Sequence, residues 1–297
     1  MMPDATGDRT MAPGVPAGQD GKGHTGPVQE EAAGRPAQGL GAANWIGLWT
    51  LYRREVMRFS AVAAQTVVGP AVTTLLFLVV LGVVMTRRGP PQPVGGVPYL
   101  EFLAAGLVVM TMAQNAFANT SSSLVIAKVQ GNITDLLLVP LSPGAFVAGF
   151  ALGGLTRGLL VGALVAVVTL PFVSLGLAHP AFVAFHAVAA CLLLALLGLL
   201  GGLWARKLDQ LGAMTSFVVT PLTFLSGTFY SVSDLPPLFQ LLAHANPFFY
   251  MIDGFRYGIT GHADGSLIAG LAVMGGTTLL AVAASYSLVA FGWRLTS

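Results

Sequence analysis

Six apolar runs dominate this chain and limit what it can fold into. They cover roughly 61–86, 102–126, 145–173, 181–204, 212–230 and 267–291, the fifth being the shortest. A helix needs about 20 consecutive apolar residues to cross the hydrocarbon layer of a bilayer, and these runs meet that length. None shows the period-2 alternation of a half-buried strand, which excludes a transmembrane barrel. Composition agrees, with 55% of residues hydrophobic and 9% charged. Soluble domains carry about 25% charged residues, so this chain lacks the polar surface to stand in water. The reading is an all-α integral membrane protein with six transmembrane helices.

Lysine and arginine set the orientation. With the N-terminus inside, Arg53, Arg54, Arg58, Lys128, Arg206, Lys207 and Arg294 lie on the cytoplasmic side, while Arg87, Arg88 and Arg256 lie outside. Positive residues flank the inner ends of spans, so the chain reads as N-in/C-in. The pair Arg87–Arg88 breaks the rule locally, and the cluster before the first span outweighs it.

Residues 1–42 differ from the rest. Five prolines and nine glycines are mixed with acidic and amide residues, with no aromatic residue. Such a segment cannot bury enough apolar surface to offset its ordering entropy, and it lacks the apolar core of a signal peptide. It reads as a disordered cytoplasmic tail ahead of a transmembrane domain at 43–297. Between tail and first span, Trp45, Leu48, Trp49, Tyr52, Val56 and Phe59 recur at helical spacing, with Arg53, Arg54 and Arg58 beside them. That pattern predicts a basic amphipathic helix lying in the inner interface, serving as an anchor, a partner-docking element, or both.

Gly149, Gly153, Gly154, Gly158 and Gly162 line the third span, and Gly198 and Gly202 repeat the spacing in the fourth. Small residues four apart let helix backbones approach in lipid, here within the chain. Arg157 sits inside the third span. A central charge costs about 2.5–3.5 kcal/mol on insertion scales, so it must face protein or water. Two readings stand: a contact for an anionic headgroup or gating pair, or a packed arginine satisfied by neighbours such as Thr156.

Between the fifth and sixth spans, about 231–262, prolines divide an aromatic-rich stretch into pieces near 235–245 and 247–260. These would be about 17 and 21 Å long as helices, too short to cross the ~30 Å core, which predicts outer re-entrant or interfacial helices. Phe248, Phe249, Tyr250 and Tyr257 suit an aromatic belt, and Asp253 and Arg256, three apart, are placed to pair across one turn.

Catalytic and metal constellations are missing. The five histidines are scattered, and the only lysine after a glycine near a loop motif, Lys22, is followed by Gly23 where a phosphate-binding loop needs Ser or Thr. Lone Cys191 sits in an apolar run and permits no disulfide. The spans hold no chain of acidic residues such as ion-coupled carriers use. Nothing suggests a nucleic-acid partner.

The segment Lys128 to Pro143, KVQGNITDLLLVPLSP, follows the second span on the inner side. Ile133, Leu136 and Leu137 share one helical face, with Gln130, Asn132 and Asp135 on others. Pro140 and Pro143 end the piece. A helix this short is unstable alone, so it must rest on a protein surface, and its polarity suits a partner's groove.

Three stretches now carry a resemblance: LYRREVMRF, NAFANTSSSLVIAKVQGNITDLLLVPLSP, and VVTPLTFLSGTFYSVSDLPPLFQLLAHANPFFYMIDGFRYGITG. Together they resemble the ABC-2 type permeases, in the drug, polysaccharide and lipo-oligosaccharide export branch, over about residues 44–295. The resemblance implies the membrane subunit of an ATP-driven exporter, with two permease chains and two separate ATPase chains that bind ATP and Mg, this chain binding no cofactor itself. It implies a coupling helix at about 128–139, with Lys128, Gln130, Gly131, Asn132, Asp135 and Leu136 as ATPase contacts and Arg53, Arg54, Glu55 and Arg58 as a second contact zone. It further implies an outer gate or path drawing on Phe229, Tyr230, Tyr250, Asp253, Arg256 and Tyr257, with Arg157 deeper inside. A bacterial inner membrane is the expected location. A secondary transporter or a non-transport scaffold are the alternatives, separated from this reading by co-purification with an ATP-binding subunit. Cargo stays open among lipidic, glycan and amphipathic drug-like molecules.

Overall fold

The computed structural model describes residues 40–62, 64–87, 93–133 and 141–292. The proposed tail up to residue 39, and residues 134–140 of the cytoplasmic segment, lie outside the described residues. The described residues are helix and turn apart from one isolated bridge between Val94 and Val97. The helices are α1 (Leu40–Ser60), α2 (Gly69–Arg87), α3 (Tyr99–Val129), α4 (Pro143–Thr169), α5 (Pro180–Trp204), α6 (Leu208–Met214), α7 (Thr220–Leu225), α8 (Pro237–His244), α9 (Pro247–Thr260) and α10 (Leu267–Ala290).

The sequence marks where several of these begin. Ser142 caps α4 by accepting from the Ala145 amide at 3.2 Å, with Pro143 as the first helical residue. Asn246 and Pro247 open α9 in the same way, Asn246 accepting from the Phe248 amide at 3.1 Å. A short polar acceptor at the cap satisfies an otherwise orphaned amide, and proline loses nothing at a position whose N–H has no helical partner.

Among the described residues, five stretches are long and apolar enough to cross a membrane: Gln65–Met85, Tyr99–Val129, Pro143–Thr169, Pro180–Trp204 and Leu267–Ala290. The sixth expected span, 212–230, is not one straight helix. It is a bent helical run in which α6 and α7 flank a π-turn at Thr215–Val219. A second π-turn, Ala64–Val68, precedes α2. Each lies just ahead of a proline, Pro221 in one case and Pro70 in the other. Proline supplies no amide and its ring crowds the carbonyl four residues back, so a wider turn there relieves the clash and bends the helix. The run ends at Leu225, and Gly227, at φ +76°, turns the chain before Phe229 and Tyr230.

α3 forms the centre, with about three-quarters of its apolar window buried against α4, α5, α9 and α2. The glycines make the approach possible. A Cβ on Gly154 would meet Ala195 and Thr120, one on Gly158 would meet Cys191 Sγ and the Met112 carbonyl, and one on Gly162 would meet Met112. Gly198 and Gly202 of α5 face Phe117, Thr120, Ser121 and Leu124 of α3. The small-residue stripes therefore serve packing inside the chain.

α1, expected as a basic amphipathic helix, packs along α4. The Ser142 amide donates to Asn44 Oδ1 at 3.0 Å, Leu51 covers Gly149, Glu55 covers Gly153, and the Tyr52 hydroxyl meets Thr156 Oγ1 at 3.1 Å. These pairs advance together, so α1 runs alongside the first half of α4 in the same direction. Its inward face is Leu51, Glu55 and Phe59, all buried, while Trp45 and Trp49 are 70% and 57% exposed. The glycines of α4 open a groove that a helix can enter, and Glu55 needs partners that only the interior supplies.

Candidate functional site

At the cytoplasmic end assigned by the charge pattern, α3 stops in a tight cap. The Gln130 amide donates to the Ile126 carbonyl at 2.9 Å and the Gly131 amide to Lys128 at 3.1 Å. Gly131 sits at φ +75°, a conformation costly for any residue with a Cβ. Gln130, Gly131 and Asn132 are exposed at the tip, and Asn132 Nδ2 donates to Gln130 Oε1 at 3.3 Å. Asp135 and Leu136 lie outside the described residues.

Lys128, expected as an ATPase contact, is engaged within the chain. Its Nζ donates to the carbonyls of Gly202, Leu203 and Ala205 at 2.9, 2.7 and 3.4 Å. These are the orphaned acceptors at the end of α5, where a cation also meets the negative pole of the helix. Lys128 thereby ties the end of α3 to the end of α5 and positions the tip. Lys128→Met should lower stability by about 1–2 kcal/mol, read as a fall in melting temperature of the purified permease.

Deeper, α1, α3 and α4 enclose a polar cluster. Glu55 is fully buried, accepts from Ser123 Oγ at 2.6 Å and pairs with Arg58 at 3.1 Å. Arg58 also donates to the Asn119 carbonyl and Oδ1, both at 2.9 Å. Glu55 and Arg58 are thus engaged inside the chain, and of the basic-helix residues Arg53 and Arg54 are the ones left exposed. Arg157 does not use Thr156, which bonds Leu152 and Tyr52. One Arg157 amino group donates to Asn115 Oδ1 at 3.2 Å, and its Nε is buried without a partner.

Asn115 also lines a cleft of about 260 Å³ between α2 and α3. Thr73, Thr111 and Gln114 supply its polar wall, with Phe77 and Phe229 on the apolar side. The Phe77 and Phe229 rings lie 5.9 Å apart.

The 231–262 segment resolves into a short 3₁₀ turn, α8 and α9, close to the predicted division. The expected Asp253–Arg256 pair is corrected: their side chains make no ion pair among the described residues. Asp253 accepts from the amides of Asp264 and Gly265 at 2.8 and 3.0 Å, fastening the loop after α9. Burial raises its carboxyl above the usual range, while those two amides and the Arg256 charge pull the other way. Arg256 is 1% exposed, donates to the Gly227 carbonyl at 2.7 Å and stacks 3.5 Å over the Phe102 ring. Gly106 leaves room for it, since a Cβ there would stand 3.1 Å from the Arg256 amino group and 2.7 Å from the Thr228 carbonyl. Asp264 binds Ser231 Oγ and the Val232 amide at 2.8 and 3.1 Å. Tyr257 stacks on His179 at 4.5 Å, and Tyr250 packs on Phe249. Tyr230 and Phe229 stand apart from these, Tyr230 on the wall of an apolar pocket of about 420 Å³ with Phe224 and Phe239. The structure therefore separates the predicted outer residues into a packed anchor and an open rim.

Asn115, Asn119, Ser123 and Asp264 escaped the sequence reading as site residues. The signal for the first three was a polar run, Asn115 to Ser123, inside an otherwise apolar span.

Comparison with known proteins agrees with this architecture. Residues 47–260 match the family described as ABC-2 type transporter. The inner membrane transport permease YadH of Escherichia coli K12 is 39% identical over 231 residues, covering 77% of this chain and 89% of that protein. Nodulation protein J of Rhizobium leguminosarum bv. trifolii is 32% identical over 232 residues, covering 75% and 83%. The chain belongs to the ABC-2 type transporter family and is an inner-membrane transport permease of bacterial type.

Proposed function

We propose that this permease is the membrane half of an ATP-driven exporter and that the Gln130–Asn132 tip transmits motion from a separate ATP-binding subunit. Membership of the family implies such a subunit. The observation that carries the reading is the tip itself: three exposed residues on a glycine-dependent turn, braced by Lys128 against the end of α5. A push at the tip is then felt by the two helices that form the core, α3 and α5. Exposed Arg53 and Arg54 on α1 extend the docking surface, and Asp135 and Leu136 complete it. Two ATPase copies holding ATP and Mg would drive two copies of this chain.

In this reading the chain crosses the membrane six times with both termini inside. The bent run 208–225 serves as the fifth crossing, about 27 Å at 1.5 Å per residue, and α8 and α9 are re-entrant on the outer side. ATP binding can drive the cycle only by favouring one arrangement of the spans over the other. Phe229 and Tyr230 at the rim form the outer gate, and the cargo is a lipidic, glycan or amphipathic drug-like molecule.

The test is co-purification of the permease with its ATP-binding subunit, followed by ATPase assays in nanodiscs. Asn132→Arg should leave insertion and melting unchanged and cut permease-stimulated hydrolysis about tenfold, the loss of roughly 1.4 kcal/mol of coupling. Full stimulation by the variant would remove the tip from the mechanism, and a permease that captures no ATPase would remove the exporter.

A further inference from the structure

Arg157 is the least satisfied cation among the described residues within the spans, and its surroundings show why. Two guanidinium groups, Arg58 and Arg157, lie close enough to act on each other electrostatically, with one carboxylate, Glu55, nearby. Arg58 takes that carboxylate and both oxygens of Asn119. Arg157 is left with one neutral amide oxygen, Asn115 Oδ1, for its five donors, and its buried Nε has none. A charge held at membrane depth without an opposite charge is costly. Here the cluster carries one positive charge more than it neutralises.

The cleft beside it fits a ligand that would supply the missing charge. Asn115 stands between Arg157 and a concavity of about 260 Å³ whose wall includes Thr73 and Thr111, their hydroxyls bonded to the Gly69 carbonyl and the Thr74 hydroxyl. Gln114 also lines it, and among the described residues its amide has no hydrogen-bond partner. Apolar Phe77 and Phe229 occupy the same wall. The Gln114 amide, the under-satisfied Arg157 behind Asn115 and the aromatic surface of the cleft together match an oxyanion headgroup carried on an apolar body. An anionic oxygen at Asn115 would take over the Arg157 amino group and bring Nε into use, since a guanidinium binds phosphate-like groups through two parallel donors.

We propose that the α2–α3 cleft, backed by Arg157 behind Asn115, binds the oxyanion headgroup of an amphipathic molecule. It deepens the exporter reading by giving the path a chemical preference. A headgroup of this chemistry has two sources: a phospholipid of the surrounding bilayer held in place, or the exported molecule itself.

The experiment has a binding arm and a turnover arm. The full-length permease in nanodiscs of phosphatidylcholine doped with phosphatidic acid is analysed by native mass spectrometry for retained lipid. Wild type should retain phosphatidic acid over phosphatidylcholine, and Arg157→Gln should lower that preference about tenfold, as expected for losing one charge-assisted bond. Gln114→Leu, which removes no hydrogen bond or ion pair among the described residues, should lower it severalfold, so a folding defect at position 157 cannot decide the outcome. Equal retention by wild type and both variants overturns the proposal. In the turnover arm, the complex with its ATPase is given phosphatidic acid. Stimulated hydrolysis identifies the oxyanion amphiphile as cargo-like, and binding without stimulation identifies it as a resident lipid. The binding arm needs no ATPase, so a failure of the exporter reading and a failure of this site are read separately.

Discussion

No stably folded permease is expected from Gly198→Leu. A Cβ at this position would stand 2.5 Å from the Phe117 carbonyl oxygen and press on the Thr120 hydroxyl. That hydroxyl already donates across the interface to the Ala195 carbonyl at 2.7 Å. Thr120 Cγ2 also faces Gly154 of α4, so three helices meet at one small side chain. Overpacking a core costs about 1–3 kcal/mol where side chains can shift, and occasionally more. Here the obstacle is backbone on the central helix, so the cost belongs at or above the upper end, about 3 kcal/mol or more. Fluorescence-detected size exclusion in mild detergent should show loss of the monodisperse peak. Gly276→Ala is the control, because a Cβ there meets nothing within 4 Å, and its melting should stay within about 0.5 kcal/mol of wild type. A sharp peak and normal melting for Gly198→Leu would show that α3 and α5 do not approach so closely.

The second large effect is expected at Glu55. Glu55→Ala removes the counter-charge of Arg58 from a fully buried position and leaves the Ser123 hydroxyl without its acceptor. Removing one partner of a buried ion pair costs about 3–5 kcal/mol, because the remaining charge is stranded. Arg157 makes the loss worse, since Arg58 acts on it electrostatically. The double replacement Glu55→Leu with Arg58→Leu should recover most of the stability, as apolar substitutes for a buried pair are often close to neutral. Measured by thermal melting in one detergent together with Glu55→Leu and Arg58→Leu alone, the double variant completes a cycle that gives the coupling. If Glu55→Ala melts like wild type, the side chain is not buried among these partners and α1 does not lie along α4.

Much of the helical layout was legible in the chain itself. The runs predicted at 102–126, 145–173, 181–204 and 267–291 appear as α3, α4, α5 and α10, with ends shifted by a few residues. Composition and length carry that information locally, because each helix satisfies its own backbone and needs only enough apolar residues to suit the bilayer. The division of 231–262 at Pro247 was legible for a similar reason: proline and its capping residue act within one turn. The bend in 212–230 was less visible. Pro221 was present in the sequence, but a proline in an apolar run kinks, widens or ends a helix according to what surrounds it.

The site was legible in part. Sequence marked the turn after α3 and singled out Arg157 as a charge inside an apolar run. It could not assign partners, because partners come from other helices: Lys128 binds α5, Glu55 and Arg58 bind α3, and Asp253 holds a loop eleven residues away instead of its helical neighbour Arg256. Spacing along one helix says which side chains share a face, and nothing about which helix that face meets.

Sequence alone therefore determined that this chain lives in a membrane, where its helices lie, and which family it resembles, since these follow from local chemistry and short motifs. Tertiary structure decided that α1 stands along α4, that the glycines serve internal contact, and that Arg157 keeps one amide oxygen as partner while its Nε has none. Those outcomes depend on which faces meet, and polar groups in an apolar setting bond to whatever the packing brings within about 3 Å.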